Sequence, residues 1–306
     1  MSTGHSRRLI FGCGYVGLRV AQRWRKQGDK VFAVTRSADT AAQFTADGLQ
    51  PILADVTDED SLVELPAVDT VLFAVGYDRT AGKPIEDVYV AGLAKVLDHL
   101  PSHCGRLIYI SSTGVFGDAA GQVVDEQTPC DPQRSGGKAC LAAEELLRSH
   151  PIWQAKHVSL RLAGIYGPGR IPRAKEIAAK IAIPTPGAGA LNLIHVDDAA
   201  ETVLLAAAHP EPQPLYIVSD GHPVERTEYY AQIARSLNAP DPVYEAADPQ
   251  SPAAQRAASN RRMSNALAVE HLGLKPQYPD YRTGLAAILG DSENGVRSQF
   301  RGEIGT

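Results

Sequence analysis

Hydrophobic residues in the first half of the chain fall into short unbroken runs separated by stretches with a helical repeat. Residues 9–11 form the first run, and residues 31–34, 52–54, 70–75, 106–111 and 158–162 form five more. Runs of this length without alternation predict strands covered on both faces. Between them the period lengthens. Val16, Val20 and Trp24 share one face of a helix over 15–27, closed by Gly28-Asp29. After Pro84, the residues Ile85, Val88, Tyr89, Leu93, Val96, Leu97 and Leu100 repeat at helical spacing. Residues 139–149 carry the next helix. Strands alternating with helices predict an α/β fold, a Rossmann-type doubly wound parallel sheet. The texture changes near residue 165, where glycine and proline loops take over, with helical pieces expected over 174–182, 197–208, 226–237 and 262–272. This predicts one domain over 1–165, a smaller interleaved part over 166–290 that partly returns to the sheet, and a polar, frayed tail over 291–306.

Composition narrows the partners. The chain has 306 residues, 44% hydrophobic and 21% charged, so a sizeable core is expected and wholesale disorder is not. A net charge of −5 gives no basic excess for nucleic acid, and no apolar run is long enough to cross a bilayer. Cys13, Cys104, Cys130 and Cys140 show neither a Cys-x-x-Cys pair nor zinc spacing. They read as reduced thiols of a cytoplasmic protein. Ser6-Arg7-Arg8 has the look of a twin-arginine export signal, but glycines and Arg19 interrupt the apolar stretch that should follow.

The clearest chemistry is Gly12-Cys13-Gly14-Tyr15-Val16-Gly17, a Gly-x-Gly-x-x-Gly directly after a strand and at the opening of an amphipathic helix. Gly12 permits the tight turn and Gly14 lets backbone approach a pyrophosphate. Gly17 permits close packing, and Tyr15 and Val16 sit where a helix N-terminus faces the anion. The second strand ends in Thr35-Arg36-Ser37, with no acid to bind a ribose 2′-hydroxyl. Arg36 can clamp a 2′-phosphate instead, with Ser37 adding a hydroxyl, so NADP is expected rather than NAD. Asp55 and Val56 would meet the adenine edge. Ala74, Val75 and Gly76 would let the cofactor pass close to backbone.

Further motifs follow in order: Ser111-Ser112-Thr113-Gly114-Val115-Phe116-Gly117, then Arg161-Leu-Ala-Gly-Ile-Tyr-Gly-Pro-Gly169, Asn192-Leu-Ile-His-Val-Asp-Asp198 and Tyr216-Ile-Val-Ser-Asp220. With the glycine turn and Asp55-Val56, these resemble the extended short-chain dehydrogenases/reductases, the NAD(P)-dependent epimerase/dehydratase relatives, over nearly the whole chain. The resemblance implies hydride-transfer chemistry on a small polar molecule, a nucleotide sugar by analogy, and a habit of dimerising through helices. The helix over 85–100 is a candidate surface for a homodimer. It also implies that Ser111 and Tyr166 lie near the cofactor and that Ser112 orients the reacting oxygen.

Two departures mark an atypical branch. The family's usual turn is Gly-x-x-Gly-x-x-Gly. Its catalytic Tyr-x-x-x-Lys should fall in Pro132-Gln-Arg-Ser-Gly-Gly-Lys-Ala-Cys-Leu-Ala-Ala-Glu144, which holds no tyrosine. The tyrosine position is Arg134 if Lys138 is the family lysine, or Gly136 if Glu144 anchors the alignment. Loss of a positioned acid usually costs about 10²–10⁴-fold in rate. Three readings stay open. One is an enzyme with a relocated donor, for which Tyr77, just past the fourth strand, is the candidate and Arg79 an anion clamp. The second is a non-catalytic NADP-binding protein or sensor. The third is an enzyme that uses Cys140 or Lys138. Asp197 reads as the N-cap of the helix that follows it, with His195 bracing the junction. The polar Asn192, His195 and Arg262 favour a working pocket.

Overall fold

The computed structural model describes residues 5–290 except 186, 247, 249–250, 252–253 and 256–258, so the expected tail lies outside the described residues. The six apolar runs become strands of one sheet, and a seventh that the runs did not mark joins them: β1 (Arg7–Phe11), β2 (Lys30–Thr35), β3 (Gln50–Leu53), β4 (Thr70–Phe73), β5 (Arg106–Ser112), β6 (His157–Leu162) and the added β7 (Leu215–Val218). Their spatial order is β3–β2–β1–β4–β5–β6–β7, and every neighbouring pair is parallel. This is the Rossmann-type doubly wound sheet that the alternation predicts. The strand order reverses at β1, so a crevice opens beyond the carboxyl ends of β1 and β4, where ligands of such sheets bind. The last strand, β7, lies beyond the loop-rich break and pairs with β6.

Nine helices among the described residues complete the chain: α1 (Gly17–Lys26), α2 (Ala38–Ala46), α3 (Gly92–His99), α4 (Ser135–Ser149), α5 (Ala174–Ala178), α6 (Val196–Ala208), α7 (Arg226–Ser236), α8 (Ala266–Glu270) and α9 (Tyr281–Leu289). Successive strand residues point to opposite faces. Ile10, Leu72 and Ile108 therefore meet Val20 and Trp24 of α1 and Ala199 and Val203 of α6. Phe11, Phe73 and Tyr109 meet Leu93 and Val96 of α3 and Ala143 and Leu147 of α4. Each large side chain buried this way stabilises the fold by about 1.5–3 kcal/mol. The apolar stripe over 85–100, singled out as a dimer surface, is largely used here: Leu93, Val96, Leu97 and Leu100 all lie in the core. A separate apolar cluster of Ile177, Ile183, Tyr229, Ile233, Tyr281 and Leu285 supports the C-terminal loops.

The structure departs from the sequence pattern where tertiary contacts decide. The fourth strand stops at Phe73 rather than residue 75, because Ala74 turns to donate its N–H to Phe11 and to cross Gly12. The helix expected over 174–182 ends at Ala178, and Lys180 takes a left-handed turn (φ 58°). The helix expected over 262–272 is mostly not one. Arg262–Met263 pairs as a strand with Val123–Val124, and helix resumes only in α8. Asn192 enforces this, since its amide donates to Arg261 O (2.9 Å) and its oxygen accepts from Met263 N (2.7 Å).

Candidate active site

At the switch point a cleft of about 230 Å³ opens, lined by Gly12, Arg36, Asp55, Val56, Val75 and Gly76 among others. Gly12 sits at φ 84°, and a Cβ there would overlap the backbone of Ala74 and Val75. The turn and the loop after β4 are thus locked together by an absent side chain. Gly17 is equally close, a Cβ there meeting the Gly12 carbonyl, whereas nothing stands above Gly14. The backbone at Gly14 is open to a ligand, and α1 begins three residues later, at Gly17. Tyr15 and Val16 complete the turn, Tyr15 anchoring it by donating its hydroxyl to Pro168 O (3.0 Å). A bare backbone ahead of a helix N-terminus fits a pyrophosphate.

The adenine end carries two ion pairs. Arg36 and Asp78, both about half exposed, lie 3.8 Å apart. Lys83 Nζ lies 3.4 Å from Asp55 Oδ2 and also bonds the Thr57 hydroxyl. Asp55 accepts from the N–H and the hydroxyl of Thr57, both at 2.8 Å. Burial raises its pKa, but these bonds and Lys83 outweigh that and hold it below the usual carboxylate range. Ser37 caps α2, its hydroxyl accepting from Thr40 N (3.3 Å). Its hydroxyl proton is still available to a phosphate oxygen.

At the end of β5, Ser112 Oγ accepts the Gly114 N–H (3.0 Å), which leaves its own proton free to donate. An ideal Cβ on Gly114 would lie 3.2 Å from Ser112 Oγ and 3.3 Å from Arg134 Nη2. A serine hydroxyl and a guanidinium therefore flank one point beside the crevice.

Sequence comparison agrees with this geometry. A profile of the NAD dependent epimerase/dehydratase family matches residues 9–218. The chain belongs to the NAD-dependent epimerase/dehydratase family. Protein YeeZ of Escherichia coli K12 is 28% identical over 278 residues, covering 89% of this chain and 96% of YeeZ. A Methylobacillus flagellatus structure assigned to the NAD-dependent epimerase/dehydratases is 31% identical, covers 94% of this chain and 99% of its own, and superposes with a TM-score of 0.75. Thermus thermophilus UDP-glucose 4-epimerase in complex with NAD shares the fold, with a TM-score of 0.78 at 19% identity over 97% of this chain and 100% of its own. As a member of this family the protein is an NAD(P)-dependent enzyme of the short-chain dehydrogenase/reductase kind.

Within this epimerase/dehydratase frame, several expected site residues turn out to do other work. Ser111 is 4% exposed and donates its hydroxyl to Glu144 Oε1 (2.6 Å) rather than into the cleft. Glu144 in turn holds Arg161 through two bonds of 3.0 and 2.6 Å, so this set is a buried ion pair between α4 and β6. Tyr166 is fully buried, its hydroxyl 3.4 Å from Asp280 O and its ring edge-on to His195. Burial pushes its pKa up, and the core around it bars a cofactor. Tyr77 donates its hydroxyl to Lys83 O (2.8 Å) and lines neither the cofactor cleft nor the concavity beside Ser112. Its proton is held by its own loop, which aims it away from the Ser112 side. Cys140 is buried, which pushes its thiol up to about 11 and disfavours the thiolate, and Lys138 is exposed. His195, not Asp197, caps α6, its Nδ1 accepting from Asp197 N (3.2 Å). Burial pushes it down to about 4, so it is neutral, while Asp197 pairs with Arg19 and Arg23. Arg262 meets Glu225 at the surface (3.7 Å).

Two residues unmarked in the sequence take their place. Lys83 reaches the cleft from a loop 28 positions beyond Asp55, and Arg261 reaches the Ser112 side from the C-terminal part. Neither lies in a motif. A second arginine beside Arg262 was the only trace of the latter.

Proposed function

We propose that the protein uses NADP(H) rather than NAD(H), as an oxidoreductase or epimerase/dehydratase-type enzyme acting on a small polar substrate. The observation that carries this is the pair of cations, Arg36 and Lys83, at the end of a cleft where β2 supplies no acid. A 2′-phosphate would draw Arg36 from its half-exposed partner Asp78 into a bidentate pair. When bound, the nicotinamide cofactor supplies or accepts a hydride. The chain's own part is to hold it and to handle the oxygen. The turn from Gly12 to Gly17 presents backbone to the pyrophosphate. Val56, Val75 and Gly76 shape the cleft, with the Ala74 carbonyl seated against Gly12. Ser112 donates a hydrogen bond to the reacting oxygen, its own lone pair being occupied by the Gly114 N–H. Residues 1–165 carry the cofactor, and residues 166–290 close the substrate side.

The test is a titration of NADPH and NADH by fluorescence quenching. Wild type is expected to favour NADPH at least tenfold. Arg36→Ala should weaken NADPH by about tenfold or more and leave NADH within about threefold, the loss of a charge-assisted pair. Equal losses for both cofactors would reject the 2′-phosphate assignment.

A further inference from the structure

Beside Ser112 lies a second concavity of about 250 Å³, lined among the described residues by Gly114, Phe116, Asp118, Arg134 and Arg261 with others. Its charges do not balance. The side chain of Arg134, at the N-cap of α4, forms no hydrogen bond or ion pair with the described residues, although it is half buried. Arg261 is fixed by donating Nη1 to Gly117 O (2.9 Å) and Nη2 to Thr113 O (3.1 Å), and its buried Nε has no partner. Both bonds go to neutral carbonyls. The carboxylate lining the cavity is Asp118, and it is already engaged by the N–H groups of Asn260 (2.6 Å) and Ala120 (3.3 Å). Arg79 adds a third positive charge near Arg134.

Arg134 and Arg261 are partly desolvated and close together, and among the described residues Asp118 offsets the charge of Arg261 alone, so the pair raises the energy of the folded chain. Burial, and then the neighbouring cation, push Arg134 and Arg261 down, Arg261 to about 10. An anion seated between them would relieve both penalties. The ordinary alternative, a solvated surface cation, fits Lys138 but not a half-buried Arg134 beside Ser112.

We propose that this concavity binds an oxyanion of the substrate, a carboxylate or phosphate, on Arg134 and Arg261 next to the Ser112 hydroxyl, so that the substrate is a small acid or phosphate ester. The proposal rests on reading this side of the crevice as the substrate side.

The experiment is calorimetric titration of the NADPH-saturated protein with malonate, inorganic phosphate and UDP-glucose at constant ionic strength. Malonate or phosphate should bind saturably. Arg134→Gln should weaken that binding at least tenfold while leaving NADPH affinity within about threefold and the thermal melt no lower than wild type, because the Arg134 side chain makes no bond that supports the fold and its removal relieves an uncompensated charge. Arg261→Gln should do the same to the anion but also lower the melt. Whichever of the two anions binds tells carboxylate from phosphate. Absence of anion binding, anion binding indifferent to Arg134→Gln, or UDP-glucose bound more tightly than either with the same indifference would overturn the proposal. If NADPH itself does not bind, the cofactor reading falls alone, and the same titrations on the cofactor-free protein still decide the anion site.

Discussion

The cofactor end and the substrate end of the crevice are built by opposite means. The cofactor end is made of backbone. Its decisive features are side chains that are missing, at Gly12, Gly14 and Gly17, and its charges come in matched pairs, Arg36 with Asp78 and Lys83 with Asp55. The proposed substrate end is made of side chains from distant parts of the chain, Ser112, Arg134 and Arg261, and among the described residues lining it the cations outnumber the acids. A backbone site of this kind suits a ligand that every member of a family shares. A side-chain site can be rebuilt for a new substrate without touching the sheet. The difference shows where this protein keeps to its family and where it leaves it.

The largest expected effect tests whether the substrate end has a support of its own. Glu144 and Arg161 are each about 2% exposed and paired at 2.6 Å, with Ser111 as a third member. Glu144→Ala would strand a buried guanidinium, and the expected loss is about 3–5 kcal/mol in a urea melt. A loss below about 1 kcal/mol would mean that the pair is dispensable and that the Ser111–Ser112 strand end is held by packing alone.

The cofactor end separates into two glycines with different duties. Gly12→Ala meets both a left-handed φ and the backbone of Ala74, so stability should fall by about 1–3 kcal/mol and cofactor affinity with it. Gly14→Ala has open space above it. It should melt within about 0.5 kcal/mol of wild type yet bind cofactor at least tenfold more weakly, because the methyl group stands where the pyrophosphate would approach. Equal melts for the two variants would contradict the close approach of the two loops.

At the sheet edge beyond both sites, Asp220 follows β7 and is buried, with Oδ2 unpartnered. Burial pushes it up to about 7, from an ordinary value near 3.8. Between those two pH values the unfolded chain has lost this proton while the folded chain keeps it, so stability falls as pH rises through that window and is level above it. His195, pushed down to about 4, works in the opposite sense below its ordinary 6.5. Comparison with Asp220→Asn isolates the carboxyl. Relative to wild type, the variant should gain on the order of 2 kcal/mol between pH 5 and pH 8 in urea melts. A constant difference across that range would show that Asp220 ionises freely.

The two ends were also unequally legible in the sequence. The strands and the glycine turn depend on neighbours a few positions apart, so periodicity and spacing reveal them. The helix expected over 262–272 failed because Asn192 and the strand at 123–124, far away in sequence, claim Arg262 and Met263. Lys83 and Arg261 were invisible for the same reason. Ser111 and Tyr166 lie in recognisable motifs, but their hydroxyls face Glu144 and Asp280, and a motif does not say which way a side chain turns.

Tyr77 gives the smallest and sharpest test of the contrast, because it sits between the two ends. It is the tyrosine nearest in sequence to the crevice, and a displaced proton donor would place the chemistry on the cofactor side. Its hydroxyl instead bonds Lys83 O, and its ring packs edge-on against Tyr89. Tyr77→Phe should therefore cost only the loop bond, about 0.5–1.5 kcal/mol. With a carbonyl substrate found by screening NADPH oxidation, its turnover should stay within about threefold of wild type. Ser112→Ala, in the same assay, should lose about tenfold or more, since the hydrogen bond to the reacting oxygen goes with the hydroxyl. A hundredfold loss in Tyr77→Phe with little change in Ser112→Ala would reverse that assignment. The loop from 74 to 83 would then have to release the phenol from Lys83 before each turnover.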